Sequence, residues 1–171
     1  VVPESGIVLG GLQTYYGVKE GDYVKASFGG LMMVGGVFGS GARYSPGSSA
    51  AQLAELESQA PGAHFLSRHG AGTTLSFQYR RAISGMTPEG EVLNMENSTR
   101  FLSDELQLEA VKLAQTEFTK TGKTSIILDM KKSIGEGFLK GGGNGSYRTT
   151  STVQAYFKDG NLITLFPKIG R

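Results

Sequence analysis

Apolar residues recur at helical spacing in three stretches of the chain, and this pattern predicts three helices. The first runs from Ala50 to Leu56 behind a capping Ser49, and the second follows Thr73 and stops at Gly85. The third begins after Ser103, where two acidic side chains suit the positive end of the helix dipole. Its buried stripe is formed by Leu106, Ala110, Leu113, Ala114 and Phe118.

After Gly122 the pattern changes from helical spacing to alternation, which predicts strands. We expect them at Ser125 to Met130, Tyr147 to Phe157 and Leu162 to Phe166. Asp159-Gly160 separates the last two and is typical of a two-residue hairpin turn, because both turn positions need a positive φ. Helices followed by antiparallel strands predict an α+β fold, with N-terminal helices packed on a C-terminal antiparallel sheet whose exposed face is the working surface.

The composition is typical of one soluble domain with a leader. The chain has 171 residues, 39% of them apolar and none of them cysteine, which excludes disulfides and thiolate metal sites. No apolar run approaches the roughly 20 residues of a membrane-spanning helix. Twelve of the 26 glycines lie in residues 1–49, so we place a boundary near residue 50. Residues 1–49 are then a glycine-rich leader, a small docking subdomain or a cytoplasm-entry segment, and the start at Val1 suggests a fragment.

The charge is distributed unevenly along the chain. The formal net charge is +2, but residues 119–171 carry nine basic and three acidic side chains, whereas residues 50–118 carry five basic and nine acidic ones. A basic last third favours a polyanion partner for the final strands, although scattered lysines also serve solubility.

Two histidines, His64 and His69, are the first candidates for chemistry. Their five-residue spacing puts them on different faces of a helix, and no carboxylate cluster lies near them, so a zinc site is not expected. His69 precedes Gly70 at a helix-to-loop transition, where we expect an exposed ring with a near-neutral pKa that can act as a general acid or base. For His64 we favour a role in capping the helix end.

Two glycine-containing segments resemble phosphate-binding loops only superficially. Residues 120–124 lack the first glycine of a P-loop, since Glu117 stands there, and they run from helix into strand. Residues 141–145 are expected to be a flexible loop between strands, although the flanking Lys140 and Arg148 could close over a backbone phosphate. No cofactor is expected.

Several short motifs resemble the C-terminal toxin domains of contact-dependent growth inhibition proteins. They are His69-Gly70 with Arg80 eleven positions on, the run 98–102 read as opening a helix, the run 134–138, and the ending 162–167. The resemblance covers about residues 50–171 and is closest to the RNase A-like and barnase-like ribonuclease toxins. It implies a nuclease delivered by a large cell-surface exoprotein into the cytoplasm of a neighbouring bacterium.

The resemblance implies catalytic roles for His69, Arg80 and Thr164. The family's tyrosine position is Phe166 here, so its hydroxyl is dispensable, Tyr156 supplies it, or the strand aligns differently. The implied substrate is RNA, with transfer RNA expected. The implied partners are a cognate immunity protein, a translation factor of the target cell, and a membrane touched transiently during delivery.

The chemistry is self-consistent without a metal, because RNA carries its own nucleophile, the 2′-hydroxyl. A base or acid, a cation and a positioning hydroxyl then suffice, whereas DNA hydrolysis usually requires a bound cation.

Each assignment keeps an alternative. Arg80 and Arg81 could face solvent, and Arg100 could replace Arg80 as the phosphate clamp. A strict two-residue turn puts Thr164 opposite Ala155 on the core face. The substitutes are then Thr150 and Tyr156 on the opposite, more polar face. Together with Thr152, Gln154 and Arg148 they could line an RNA groove there. A non-catalytic binding or adhesion module and a metal-dependent DNase are the competing functions.

Overall fold

The computed structural model describes residues 47–87 and 90–170. The expected leader, residues 1–49, lies outside the described residues except for its last three, and so does the expected membrane contact.

The chain folds as an α+β domain, as predicted. In order, its elements are α1 (Ser49–Gln59), α2 (Phe65–His69), α3 (Leu75–Ser84), β1 (Ser98–Phe101), α4 (Asp104–Thr121), β2 (Ser125–Asp129), β3 (Gly135–Phe138), β4 (Tyr147–Thr150), β5 (Thr152–Lys158) and β6 (Asn161–Pro167). The helices precede most of the strands. The run 98–102 was expected to open a helix, and that is wrong, because residues 98–101 form β1 and α4 starts only after Ser103.

The three predicted helices are present, and their caps explain their limits. The side chain of Ser48, rather than Ser49, caps α1 by accepting a hydrogen bond from the Ala51 N–H. Thr74 caps α3 in the same way, and that helix ends at Gly85 in the left-handed conformation with φ of 74°. A Cβ atom at Gly85 would lie 1.8 Å from the Leu93 carbonyl oxygen, so glycine is required there.

The strands form two antiparallel sheets rather than one. The first sheet has the order β1–β3–β4, and the second sheet has the order β2–β5–β6. The single strand expected over 147–157 breaks at Ser151, where the chain passes from one sheet to the other. Arg148 and Thr150 therefore lie in the first sheet, and Tyr156 lies in the second. The prediction that these three residues line one groove on one strand face is wrong.

A β-bulge in the last hairpin changes the facing of Thr164. Asp159 and Gly160 form the predicted two-residue turn, with φ values of 51° and 83°. The register then slips between Tyr156 and Phe157, so Thr164 pairs with Tyr156 and not with Ala155. Because a one-residue slip exchanges the two faces of a strand, the expectation that Thr164 faces the core is wrong.

The hydrophobic core lies between the helices and the inner face of the second sheet. Its largest fully buried apolar members are Leu53, Phe65, Phe101, Val111, Ile134, Val153 and Leu165. Each such side chain contributes roughly 1.5–3 kcal/mol by leaving water.

The two sheets meet where β6 passes β1 and β3. Gly135 permits this approach, since a Cβ atom there would lie 2.2 Å from the Cβ atom of Pro167. The Thr99 hydroxyl donates to the Pro167 carbonyl oxygen at 2.6 Å and joins the sheets. This junction is where α2 ends and where His69 lies.

Candidate active site

His69, the last residue of α2, is held at the junction by a backbone hydrogen bond. Its Nδ1–H donates to the Thr99 carbonyl oxygen at 2.9 Å. A carbonyl can only accept, so the proton is fixed on Nδ1 and the Nε2 lone pair is left for another partner. The Nε2 atom has no hydrogen bond to a described residue, and it is not among the fully buried side-chain atoms that lack one.

The environment of His69 differs from the expected one. The residue is only 8% exposed, so the prediction of an exposed ring is wrong. Burial, opposed by the hydrogen bond to Thr99 and aided by nearby positive charge, lowers the pKa of His69 to about 3. The prediction of a near-neutral pKa is therefore also wrong. The imidazole is neutral at pH 7, so Nε2 carries a lone pair that can accept a proton and no proton to donate.

The charges acting on the His69 ring come from both neighbouring helices. His64 and Arg68 of the α2 segment and Arg81 of α3 all lower its pKa by Coulombic repulsion. Arg81 is 9% exposed and shares the buried face of α3 with Phe77. Arg80 is half-buried on a different face of the helix and is not among these charges. Of the two α3 arginines, Arg81 is therefore the better candidate for a cation that acts on the ring.

A buried glutamine fixes the segment that carries His69. The Gln78 side-chain amide donates to the Arg68 carbonyl oxygen at 3.1 Å and to the Thr73 hydroxyl at 2.8 Å. Its Oε1 atom accepts a hydrogen bond from the Ser98 hydroxyl at 2.6 Å. Gln78 is fully buried, so α2, α3 and β1 are tied to one another directly beside the imidazole.

The outer face of the second sheet carries the other candidate side chains. Gln154 and Tyr156 of β5 lie opposite Phe166 and Thr164 of β6, respectively. The Phe166 ring lies 5.3 Å from the His69 ring and 6.2 Å from the Tyr156 ring, measured between centroids. His69, Phe166, Tyr156 and Thr164 therefore belong to one continuous surface.

The Thr164 hydroxyl is a buried group of this surface whose hydrogen bonding is incomplete. Its Oγ1 atom is buried and has no hydrogen-bond partner among the described residues. A buried hydroxyl without a partner loses about 1–3 kcal/mol of solvation that nothing replaces. Such groups in native proteins call for an explanation, and a role in binding is one.

Arg100 is engaged in a structural network and not directed at a free site. Its guanidinium donates to the Glu136 carboxylate at 2.6 and 2.9 Å and to the Thr73 carbonyl oxygen at 2.6 Å. The Tyr147 hydroxyl donates to the second oxygen of Glu136 at 2.5 Å. Burial would raise the pKa of Glu136, but these hydrogen bonds and the Arg100 charge outweigh it and hold that pKa below its ordinary value.

The remaining predicted substrate contacts lie in or beside the first sheet. Lys140 and Arg148 flank the loop between β3 and β4, as predicted, and Arg148 donates to the carbonyl oxygen of Tyr147 at 2.7 Å. The Thr150 hydroxyl donates to the Lys168 carbonyl oxygen at 2.7 Å, which fixes the corner between the sheets. None of these three groups has a recorded contact with His69.

One cleft among the described residues lies away from His69. It has a volume of about 310 Å³ between α1, α4 and the β5–β6 hairpin, and its walls include Phe65, Phe118 and Phe157.

The residues that the structure describes contain no group of three or more His, Asp or Glu side chains placed to hold a metal ion. No helix among them is long and apolar enough to cross a membrane.

Two residues of the site, Gln78 and Lys168, escape sequence reasoning. Gln78 looks like an ordinary polar surface residue, and only its place beside buried neighbours at helical spacing could have suggested burial. Lys168 follows the last strand and donates to the Gln154 Oε1 atom at 3.3 Å, a contact that depends on the bulge-shifted register.

Comparison of the chain with protein-family models, curated proteins and solved structures finds no match.

Proposed function

We propose that this chain is a metal-independent endoribonuclease that cleaves RNA by transphosphorylation. The observation that carries the proposal is the state of His69: a neutral imidazole, anchored through Nδ1–H to Thr99, whose Nε2 has no hydrogen bond to a described residue and which feels the charge of nearby basic side chains. The unprotonated nitrogen of a neutral imidazole can take the proton of a hydroxyl nucleophile. The toxin resemblance supports the same residue from an independent direction.

The proposed step balances without a cofactor. His69 Nε2 takes the proton from the 2′-hydroxyl, the 2′-oxygen forms a bond to phosphorus, and the bond from phosphorus to the 5′-oxygen breaks. The departing 5′-oxygen takes a proton from water, and the imidazolium returns its proton to solvent. The products are a 2′,3′-cyclic phosphate and a free 5′-hydroxyl.

The side chains around His69 suit the charge that develops in this step. Arg81 and Arg68 lie close enough to lower its pKa, and the same charges would stabilise an anionic phosphorane. A bound phosphodiester would also offset their repulsion and raise the basicity of the ring. The buried Thr164 hydroxyl has no hydrogen-bond partner among the described residues, and a phosphate oxygen that reached it would supply one.

The biological setting follows from the resemblance and stays a proposal. The domain would be the toxin part of a cell-surface exoprotein, would act on transfer RNA in the cytoplasm of a target bacterium, and would be neutralised by an immunity protein. A translation factor that presents the RNA and transient membrane contact during delivery belong to the same proposal.

The test compares the wild-type chain with His69→Asn on total RNA. Asparagine can keep the donor to the Thr99 carbonyl oxygen but has no basic nitrogen, so we expect cleavage to fall by about 10²- to 10⁴-fold, the usual contribution of a general base. Sequencing of the new RNA ends, with detection of 2′,3′-cyclic phosphates, is the measurement. Urea unfolding of both proteins controls for the fold.

The competing functions give different results in this experiment. A binding or adhesion module would release no RNA fragments from either protein. A metal-dependent DNase would nick plasmid DNA, and a chelator would stop it. RNA cleavage that survives His69→Asn unchanged would remove His69 from the mechanism.

A second comparison distinguishes the two arginines of α3. We expect Arg81→Gln to lower cleavage on the order of 100-fold, since one preorganised group that stabilises developing charge contributes about that much. Arg80→Gln is the matched control, because it removes the same charge from the neighbouring position, and we expect a loss of less than about threefold. A larger loss of cleavage in Arg80→Gln than in Arg81→Gln would identify Arg80 as the residue that binds the phosphate.

A further inference from the structure

We propose that Tyr156 is the stacking platform for one nucleobase next to the cleaved bond, with Phe166 as the spacer between that base and His69. This inference rests on the proposed ribonuclease function and assigns the substrate contact that function leaves open. It makes the outer face of the second sheet a binding site for single-stranded RNA.

The geometry of the aromatic rings carries the proposal. Tyr156 is 44% exposed, and its ring lies nearly parallel to that of Phe166, with 29° between their planes and 6.2 Å between centroids. Phe166 in turn lies 5.3 Å from the His69 ring. A base stacked on the outer side of Tyr156 would therefore be separated from the imidazole by the Tyr156 and Phe166 rings.

The other exposed tyrosines are arranged differently. Tyr79 and Tyr147 both pack edge-on against Phe138, at 73° and 64°, and the Tyr147 hydroxyl is bound to Glu136. Their rings complete a local cluster. The Tyr156 hydroxyl has no recorded hydrogen bond among the described residues, and its ring has a parallel neighbour on one side only.

The polar groups around the platform suit a nucleotide. Lys168 reaches Gln154 at 3.3 Å, and the Gln154 amide donates to the Ser125 hydroxyl at 3.0 Å, so a cation and an ordered amide lie beside Tyr156 on the same face. Lys158 follows on the same face of β5 at the hairpin end. Positive charge beside an exposed ring is the usual arrangement for binding single strands.

The experiment measures kcat/KM on short RNA strands in which each base in turn is replaced by an abasic unit. Stacking of one base contributes about 1–3 kcal/mol, so one abasic position should slow the wild type on the order of 10- to 100-fold. On the intact strand, Tyr156→Leu should be slower than the wild type by a similar factor. On the strand with that abasic unit, the variant should be no slower than it is on the intact strand. Tyr156→Phe should stay within about threefold of the wild type. Tyr79→Leu removes a comparably exposed ring and should match the wild type.

A second readout separates the platform from the chemistry. A non-cleavable strand with 2′-deoxyribose throughout and 2-aminopurine at the stacked position should lose fluorescence on binding the wild type and keep it with Tyr156→Leu. Quenching without any cleavage of RNA would overturn the proposed function and leave the platform standing. Cleavage by Tyr156→Leu at the wild-type rate would overturn the platform and leave the ring to a protein partner. The platform would also be overturned if the abasic unit and Tyr156→Leu each lowered kcat/KM and their effects were additive in free energy.

Discussion

The two sheets use their polar side chains in opposite ways. In the first sheet, Glu136 accepts hydrogen bonds from Arg100 and Tyr147, so its charge is fully paired within the fold. In the second sheet, Thr164 has a buried hydroxyl without a partner among the described residues, and Tyr156 is 44% exposed. The first sheet thus closes its charged network within the fold, whereas the second leaves one hydroxyl unsatisfied and one ring exposed.

Two threonines show the contrast most directly. Thr99 in the first sheet donates its hydroxyl to Pro167, and its carbonyl oxygen holds the His69 ring. Thr164 in the second sheet has no such partner among the described residues. The difference indicates that the first sheet positions the imidazole, whereas the second sheet meets the ligand.

The largest stability effect is expected when the closed network is opened. Glu136→Gln removes the carboxylate that compensates Arg100 and weakens the bond from Tyr147. We expect the free energy of unfolding to fall by about 3 kcal/mol, near the low end for a broken buried pair, because the Arg100 side chain is 24% exposed. Urea unfolding at pH 7 checks this. A loss within error of zero would mean that the first sheet is not held by its ion pair.

The next effect concerns the junction itself and depends on pH. The pKa of His69 falls from 6.5 to about 3 on folding, so below pH 6.5 the unfolded chain binds a proton that the native chain does not, and stability falls until pH 3. Between pH 6.5 and 5 this amounts to roughly 2 kcal/mol.

His69→Asn isolates this contribution. The difference in unfolding free energy between the wild type and His69→Asn should shrink by that amount as the pH is lowered from 7 to 5, because other titrating groups such as Glu57 act equally in both proteins. A difference that does not change with pH would contradict the buried, neutral state of the ring.

The smallest effect tests the two threonines as a matched pair. Thr99→Val removes a made hydrogen bond and leaves the Pro167 carbonyl oxygen with one partner fewer, so we expect a loss of about 1 kcal/mol. Thr164→Val removes a hydroxyl that has no partner, so we expect no loss or a gain of up to about 1 kcal/mol, together with slower RNA cleavage. Thermal unfolding of both variants is the measurement. Equal losses would mean that the two hydroxyls are equally satisfied.

Much of the fold could be predicted because it is encoded locally. The caps at Ser103 and Thr74 and the stop at Gly85 act within a few residues, and so does the turn at Asp159-Gly160. The break at Ser151 could not be found in this way. Residues 147–157 read as one continuous strand in the sequence, and only tertiary packing determines which of them join the first sheet and which join the second.

The candidate site could be predicted only in part. His69 was identifiable as one of two histidines, but its burial depends on Phe166 and Thr99, which are distant in sequence. The facing of Thr164 depends on a bulge that the turn sequence does not signal, since the turn itself is regular. Long-range contacts and single-residue register shifts are therefore the features of the site that could not be predicted from the sequence.

The most direct test of the central claim uses one RNA strand with a single 2′-deoxy substitution at the cleaved link. If His69 activates the 2′-hydroxyl, the wild-type chain will cut the all-RNA strand, leave a 2′,3′-cyclic phosphate, and leave the substituted link intact while still cutting the others. Cleavage of the substituted link at the rate of the unsubstituted one would contradict the account.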